Sequence, residues 1–182
     1  MPAENRPDGK NHRSSSSPDN QGDQPKNIQV VEFLLGKEHY AIDLYDVREV
    51  VDYTTITRLP NTPAYIKGII DLRGEITTII DLKNRLNVTA DKNSLGDDKR
   101  RIIVLDEKLT RAKMGIIVDD VLSVSTFDCA DVDRSSASLY NEDTSIRGII
   151  RKKVRVRDNE VSDLIVWIGI RQILMDEDYA KS

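Results

Sequence analysis

Tyr65-Ile66-Lys67-Gly68-Ile69-Ile70-Asp71-Leu72-Arg73-Gly74-Glu75-Ile76-Thr77-Thr78-Ile79-Ile80-Asp81-Leu82 is the stretch that decides the fold. Two runs rich in isoleucine flank Arg73-Gly74, a two-residue break with glycine second. Such runs around such a break read as a β-hairpin. Later in the chain Ser145-Ile146-Arg147-Gly148-Ile149-Ile150 repeats Tyr65 to Ile70. A repeated strand unit with no nucleophile, metal cluster or phosphate loop suits a protein built to be bound rather than to react.

The repeat extends in both directions. Upstream, Ile28 to Leu35 is a strand candidate, Gly36 to Glu38 a turn, and His39 to Ile42 a returning strand. Leu44, Val47, Val50 and Val51 then fall at helical spacing, with Asp43 placed to cap a short helix. Thr54 to Arg58 alternates, Pro60 and Pro63 interrupt, and Lys83 to Leu86 allows at most one helical turn. The second half retraces this path. Arg101 to Asp106 mirrors the first strand, and Met114 to Val124 mirrors Tyr40 to Val50. Val166 to Leu174 answers Thr78 to Leu86, after an insertion at Arg151 to Asp163. The expected fold is mainly β: two pseudo-repeated five-stranded β-barrel subdomains with short helices, lobe one about 28–90 and lobe two about 99–174. A polar linker is expected near Thr89 to Lys99. The Ser- and Asp-rich stretch from Ser123 to Tyr140 offers no clear element.

Residues 1–27 differ in kind. Four of the six prolines and the Ser14–Ser17 run lie there, with almost no large apolar residue, so a disordered tail is expected. It lacks the apolar core of a signal peptide. Residues 175–182 are read as a second tail. The net charge is −4, which argues against a general nucleic-acid binder. Cys129 is the only cysteine, which fits a reducing cytoplasm. No run of about 18 apolar residues suggests membrane insertion.

Few residues offer chemistry. His39 stands alone in its hairpin and His12 lies in the tail, so clustered zinc ligands are missing. Asp43, Asp46, Glu49 and Asp52 recur every third residue. They read as an acid–base pair or, more simply, as the wet face of the short helix. No phosphate-binding glycine motif occurs. Gly68 and Gly148 interrupt strands at matching places, which a barrel bend or a closely approaching backbone would each explain. Arg73 sits at a turn tip, poised to fork onto a partner's carboxylate or back onto its own lobe. Arg151 to Arg157 holds five bases in seven residues. It lacks the aromatics of a single-strand binder and reads as a charged edge strand, or as a contact for an acidic protein surface.

Five of these segments resemble the CheW family, the coupling proteins of prokaryotic chemotaxis. They are Tyr40 to Asp43 with Val47 to Val51, Ile56 to Pro63, Tyr65 to Gly74, Ile79 to Leu82, and Gly115 to Val121. The resemblance covers roughly Ile28 to Leu174. It implies two β-barrel lobes, no enzyme activity and no cofactor. It implies partners too: the regulatory domain of the histidine kinase CheA, paired barrel to barrel, and the cytoplasmic tip of chemoreceptors, docked in a groove between lobes. By position it places Val47 and Glu49 on the helix side facing partners, and ties Gly68 and Arg73 to receptor and kinase coupling. A cytoplasmic protein recruited to membrane-associated receptor arrays is expected. The chain ends soon after Leu174, so a free-standing coupler is expected, without the kinase's ATP-binding domain or a receiver domain. Ser145, Gly169 and the basic hairpin depart from the family pattern, which touches the second lobe's contact surface.

Overall fold

The repeat in the sequence becomes an exchange of strands in space. The computed structural model describes residues 26–88, 99–110, 112–135, 145–156 and 159–175. The first half supplies β1 (Asn27–Leu35), β2 (Glu38–Asp43), β3 (Val47–Asp52), β4 (Ile66–Leu72), β5 (Glu75–Asp81) and α1 (Leu82–Arg85). The second half supplies β6 (Arg101–Leu105), α2 (Glu107–Thr110), β7 (Met114–Val118), β8 (Asp120–Asp128), β9 (Val132–Asp133), β10 (Ile146–Val156), β11 (Asn159–Ile168) and α3 (Ile170–Met175). One sheet runs β8-β1-β2-β11-β10-β9 and the other β3-β6-β7-β5-β4. The opening hairpin of each half is therefore built into the sheet that the other half completes. Register confirms the equivalence. Trp167 lies opposite Ala41 in the parallel β11–β2 pair, as Ile79 lies opposite Gly115 in the parallel β5–β7 pair.

Burial explains why β1 reads as a nearly unbroken apolar run. Ile28 and Val30 face a cluster inside the first sheet, with Ala41, Ile150, Ile165 and Trp167. Val31, Phe33 and Leu35 face a central cluster between the sheets, with Ile42, Leu82, Ile103, Leu105 and Ile168. A third cluster, Ile70, Ile79, Ile102 and Val104, fills the second sheet. Burying both faces of a strand in this way removes its alternation.

The mainly β class and the repeated hairpins hold. The closed five-stranded barrels do not. Each sheet stays open in its strand order, and one of the two has six strands rather than five; short pairings lie at the margins. Thr57 pairs with Ile69 of β4 through two backbone hydrogen bonds, 2.9 and 2.8 Å. In the other sheet the two-residue β9 pairs with Ile149 and Ile150 of β10.

The expected helix over Leu44 to Val51 is also corrected. Only Leu44–Asp46 forms a single 3₁₀ turn, and Val47 onward is β3, paired with β6. Val47 and Val51, four apart, satisfy either period, but β-branching and the open edge of β6 favour the strand and leave Val50 on the solvent face. Asp43 does not cap that turn. Its carboxylate is held by Arg147. The expected linker lies, but for Lys99, outside the described residues, as does the N-terminal tail up to residue 25.

Candidate interaction site

Arg73 and Glu49, chosen from the sequence for separate reasons, meet. Arg73-Gly74 forms the β4–β5 turn with both residues at positive φ, 57° and 83°, the signature of a type I′ hairpin. The Asp71 carboxylate accepts a 2.7 Å hydrogen bond from the Gly74 amide and locks the tip. Arg73 pays in backbone strain for a left-handed conformation that suits Asn or Gly. From there its guanidinium forks onto Glu49, with Nη2 2.9 Å from Oε2 and Nη1 3.3 Å from Oε1. The arginine side chain remains 75% exposed while the glutamate is 22% exposed. The fork therefore ties the hairpin tip to β3 and still presents a cationic surface.

Val47 and Gly68 take other places. Val47 is half-buried and packs on the central cluster. Gly68 is buried at a bulge in the β4–β5 pairing, with φ of +145°. A Cβ there would stand 2.1 Å from the Thr57 carbonyl oxygen. The bend and the approaching backbone are thus one feature, and the neighbour is this chain's own Thr57. Gly148 repeats the bulge, where a Cβ would lie 3.0 Å from the Asp133 carbonyl oxygen.

The acids at three-residue intervals scatter once β3 is a strand. Asp52 pairs with Arg101 at 3.3 Å. Asp43 lines a cavity of about 470 Å³ that also reaches Tyr45, Arg147 and Trp167. Burial pushes the Asp43 carboxyl up, against the pull of Arg147 and the Trp167 indole. The indole Nε1 has no partner at hydrogen-bonding geometry, so its effect on Asp43 is that of a dipole. Burial, then repulsion from Asp43, raises Asp46. Among the described residues Asp43 is the only carboxylate on the cavity wall, so these offer no acid–base pair there. His39 lies against Asp163, Nδ1 to Oδ2 2.7 Å. Among the described residues no three His, Cys, Asp or Glu side chains gather as a metal site.

The basic hairpin is only partly a solvated edge. Arg151 pairs with Asp133 at 3.0 Å, but Lys152 turns inward to Glu32, 2.7 and 2.9 Å from its oxygens. Glu32 is fully buried on β1. Burial raises its carboxyl, but Lys152, Ser125 and Ser123 outweigh that and leave it below the usual range.

Sequence reasoning missed the exposed apolar side chains. Val50 on β3, Leu122 and Val124 on β8, and Ile76 on β5 all face solvent. Strand parity would have found them, had β3 and β8 been recognised as strands. β3 and β8 are the outermost strands of their sheets and hold equivalent places in the repeat.

The model of the CheW-like domain family matches residues 29–176. The chain belongs to the CheW-like family. It is 30% identical over 151 residues to the chemotaxis protein CheW of Klebsiella aerogenes, covering 81% of this chain and 82% of that protein. It is 29% identical over 129 residues to CheW of Bacillus subtilis, covering 70% and 80%. The crystal structure of the scaffolding protein CheW from Thermoanaerobacter tengcongensis superposes with a TM-score of 0.63 at 28% identity, covering 84% of this chain and 91% of that one. The CheW-like match thus spans both sheets, the Arg73–Glu49 fork and the basic hairpin. Among the described residues no helix is long and apolar enough to cross a membrane.

Proposed function

We propose that this chain is a non-enzymatic chemotaxis scaffold that couples chemoreceptors to the histidine kinase CheA, recruited from the cytoplasm to membrane-associated receptor arrays. The family match over residues 29–176 carries the reading, with relatives named as chemotaxis and scaffolding proteins. The working unit is residues 28–174. Two features suit docking. The edge strands β3 and β8 expose Val50, Leu122 and Val124, and an unpaired strand edge with apolar side chains invites a partner to cover it. The Arg73–Glu49 fork fixes the hairpin tip beside β3, so a partner meets a preorganised surface and loses little entropy in ordering it.

Co-sedimentation with the receptor's cytoplasmic tip and the kinase tests this. The wild-type chain is retained with both. Arg73→Asn keeps the turn geometry and removes the guanidinium, so it weakens the ternary assembly with the fold intact. Exchanging the charges, Glu49→Arg with Arg73→Glu, restores assembly if the fork acts as a clamp within the chain, and fails if Arg73 itself meets the partner. Undiminished retention of Arg73→Asn ends the role of Arg73. Absence of the wild-type chain from the pellet ends the scaffold reading.

A further inference from the structure

The cavity beside Trp167 carries a charge arrangement that the docking surfaces leave unused. The Arg134 guanidinium carbon lies 5.5 Å from the Trp167 ring centre and that of Arg147 lies 5.7 Å from it. Both side chains line the cavity. Two cations on one ring repel, and a lone carboxylate, Asp43, stands between them and neutrality. Asp43 is already bound to Arg147. Arg134 has the indole face but no carboxylate partner among the described residues. The ionised groups of the wall thus leave one positive charge in excess.

We propose that this cavity is a binding site for a carboxylate. A monoanionic, planar carboxylate matches the fork of a guanidinium and cancels that excess. A dianionic phosphate would overshoot it beside Asp43, whose carboxyl burial already pushes up. At about 470 Å³ the space falls within the range of small-ligand pockets, and Thr126 and Gln29 add neutral polar groups to the wall. The two sheets differ at this place. At the equivalent places in the other sheet stand Ile79, fully buried, and Lys67, which pairs with Asp81 at 3.7 Å. The cavity beside Lys67 holds only about 140 Å³, and its Lys83 is matched by Asp119 at 2.6 Å. Where one sheet has Ile79 and Lys67 the other has Trp167 and Arg147, and the wider pocket beside these also takes in the unmatched Arg134. The carboxylate belongs to a small organic acid or to an acidic segment of a partner protein.

Trp167 is the only tryptophan, so its fluorescence reports the cavity in the unmodified chain. Titration with sodium succinate, with a tetraglutamate peptide, and with sodium chloride at matched ionic strength separates the sources. A saturable change with succinate supports the site and assigns it a small acid. A change with the peptide alone supports it and assigns an acidic protein segment. Chloride gives no saturable change. In Arg134→Gln, an exposed position whose fold is checked by circular dichroism, the acid binds about ten-fold or more weakly, the loss of one charge-assisted pair. No saturable response to either acid, an equal response to inorganic phosphate, or an undiminished response in Arg134→Gln would overturn the proposal. The assay uses the isolated chain, so its outcome is independent of receptor and kinase docking.

Discussion

Replacing Gly68 by alanine probes the two demands made on that residue. Its φ of +145° is a region that side chains enter at a cost of about 1–3 kcal/mol. The new methyl would also sit 2.1 Å from the Thr57 carbonyl oxygen, so β4 and the Thr57 segment must part. Parting them breaks the two hydrogen bonds between Thr57 and Ile69, each worth about 0.5–1.5 kcal/mol net. The sum is about 2–6 kcal/mol. With a urea dependence of about 2 kcal/mol per molar, the unfolding midpoint falls by about 1–3 M. Gly148 supplies the control within the same molecule. It has the same place in the repeat but no positive φ, and its Cβ would meet the Val132 Cγ1 at 2.9 Å. A methyl group can yield by a few tenths of an ångström, so Gly148→Ala costs about 1 kcal/mol. Urea titrations followed by circular dichroism compare the three proteins. A Gly68→Ala midpoint within experimental error of wild type refutes the strain account, and equal losses at the two glycines refute its asymmetry.

Three further outcomes follow from the ion pairs. Lys152→Met strands the fully buried Glu32 carboxylate and destabilises the fold by about 3 kcal/mol near neutral pH, read by urea denaturation. Because Glu32 titrates below its ordinary value in the folded chain, wild-type stability from this pair is present above the unfolded value of 4.5 and is lost as pH falls through the depressed range. Thermal melts in acid follow that loss, and a wild-type midpoint that rises on acidification through this window contradicts it. Asp46 has the opposite sign: its folded carboxyl is raised, so its charge opposes folding at neutral pH. Asp46→Asn raises the melting temperature at pH 7, and the gain vanishes as pH approaches 3.8. Arg73→Asn changes stability by less than about 1 kcal/mol, because an exposed ion pair is lost while turn strain is relieved; a larger drop in the urea midpoint would show the fork to be a structural brace.

The sequence shows what is local and repeated. The hairpin at Arg73-Gly74, the first hairpin around Gly36 and the paired glycines are all set by neighbours in the chain, and all stand as read. Long-range pairing was out of reach. Val47 and Val51, four apart, fit both periods, and only β6, some fifty residues on, decides for the strand and turns Val50 outward. Lys152 is 120 residues from Glu32 and Arg147 is 104 from Asp43. Nothing in the local pattern marks either acid as the partner. Within the site, Arg73 and Glu49 could each be singled out, but their pairing could not be read, since the place of Glu49 on a strand face was unknown. The Trp167 cavity gathers residues from Asn27 to Trp167 along one sheet and has no linear signature.

The crossed origin of the sheets bears on how a signal can travel through such a scaffold. Each sheet is stitched by a parallel joint to strands from the opposite half of the chain, β2 to β11 and β7 to β5. To swing one sheet away from the other would tear the central cluster and pull at the connections on both sides, such as that between β2 and β3. Among the described residues the two halves are tied together by these pairings and by the central cluster. A push delivered at one edge emerges at the other as displacement of the whole body, the behaviour of a strut rather than a joint. Under the proposed scaffold role, conformational gating would then fall to the proteins that such a strut joins.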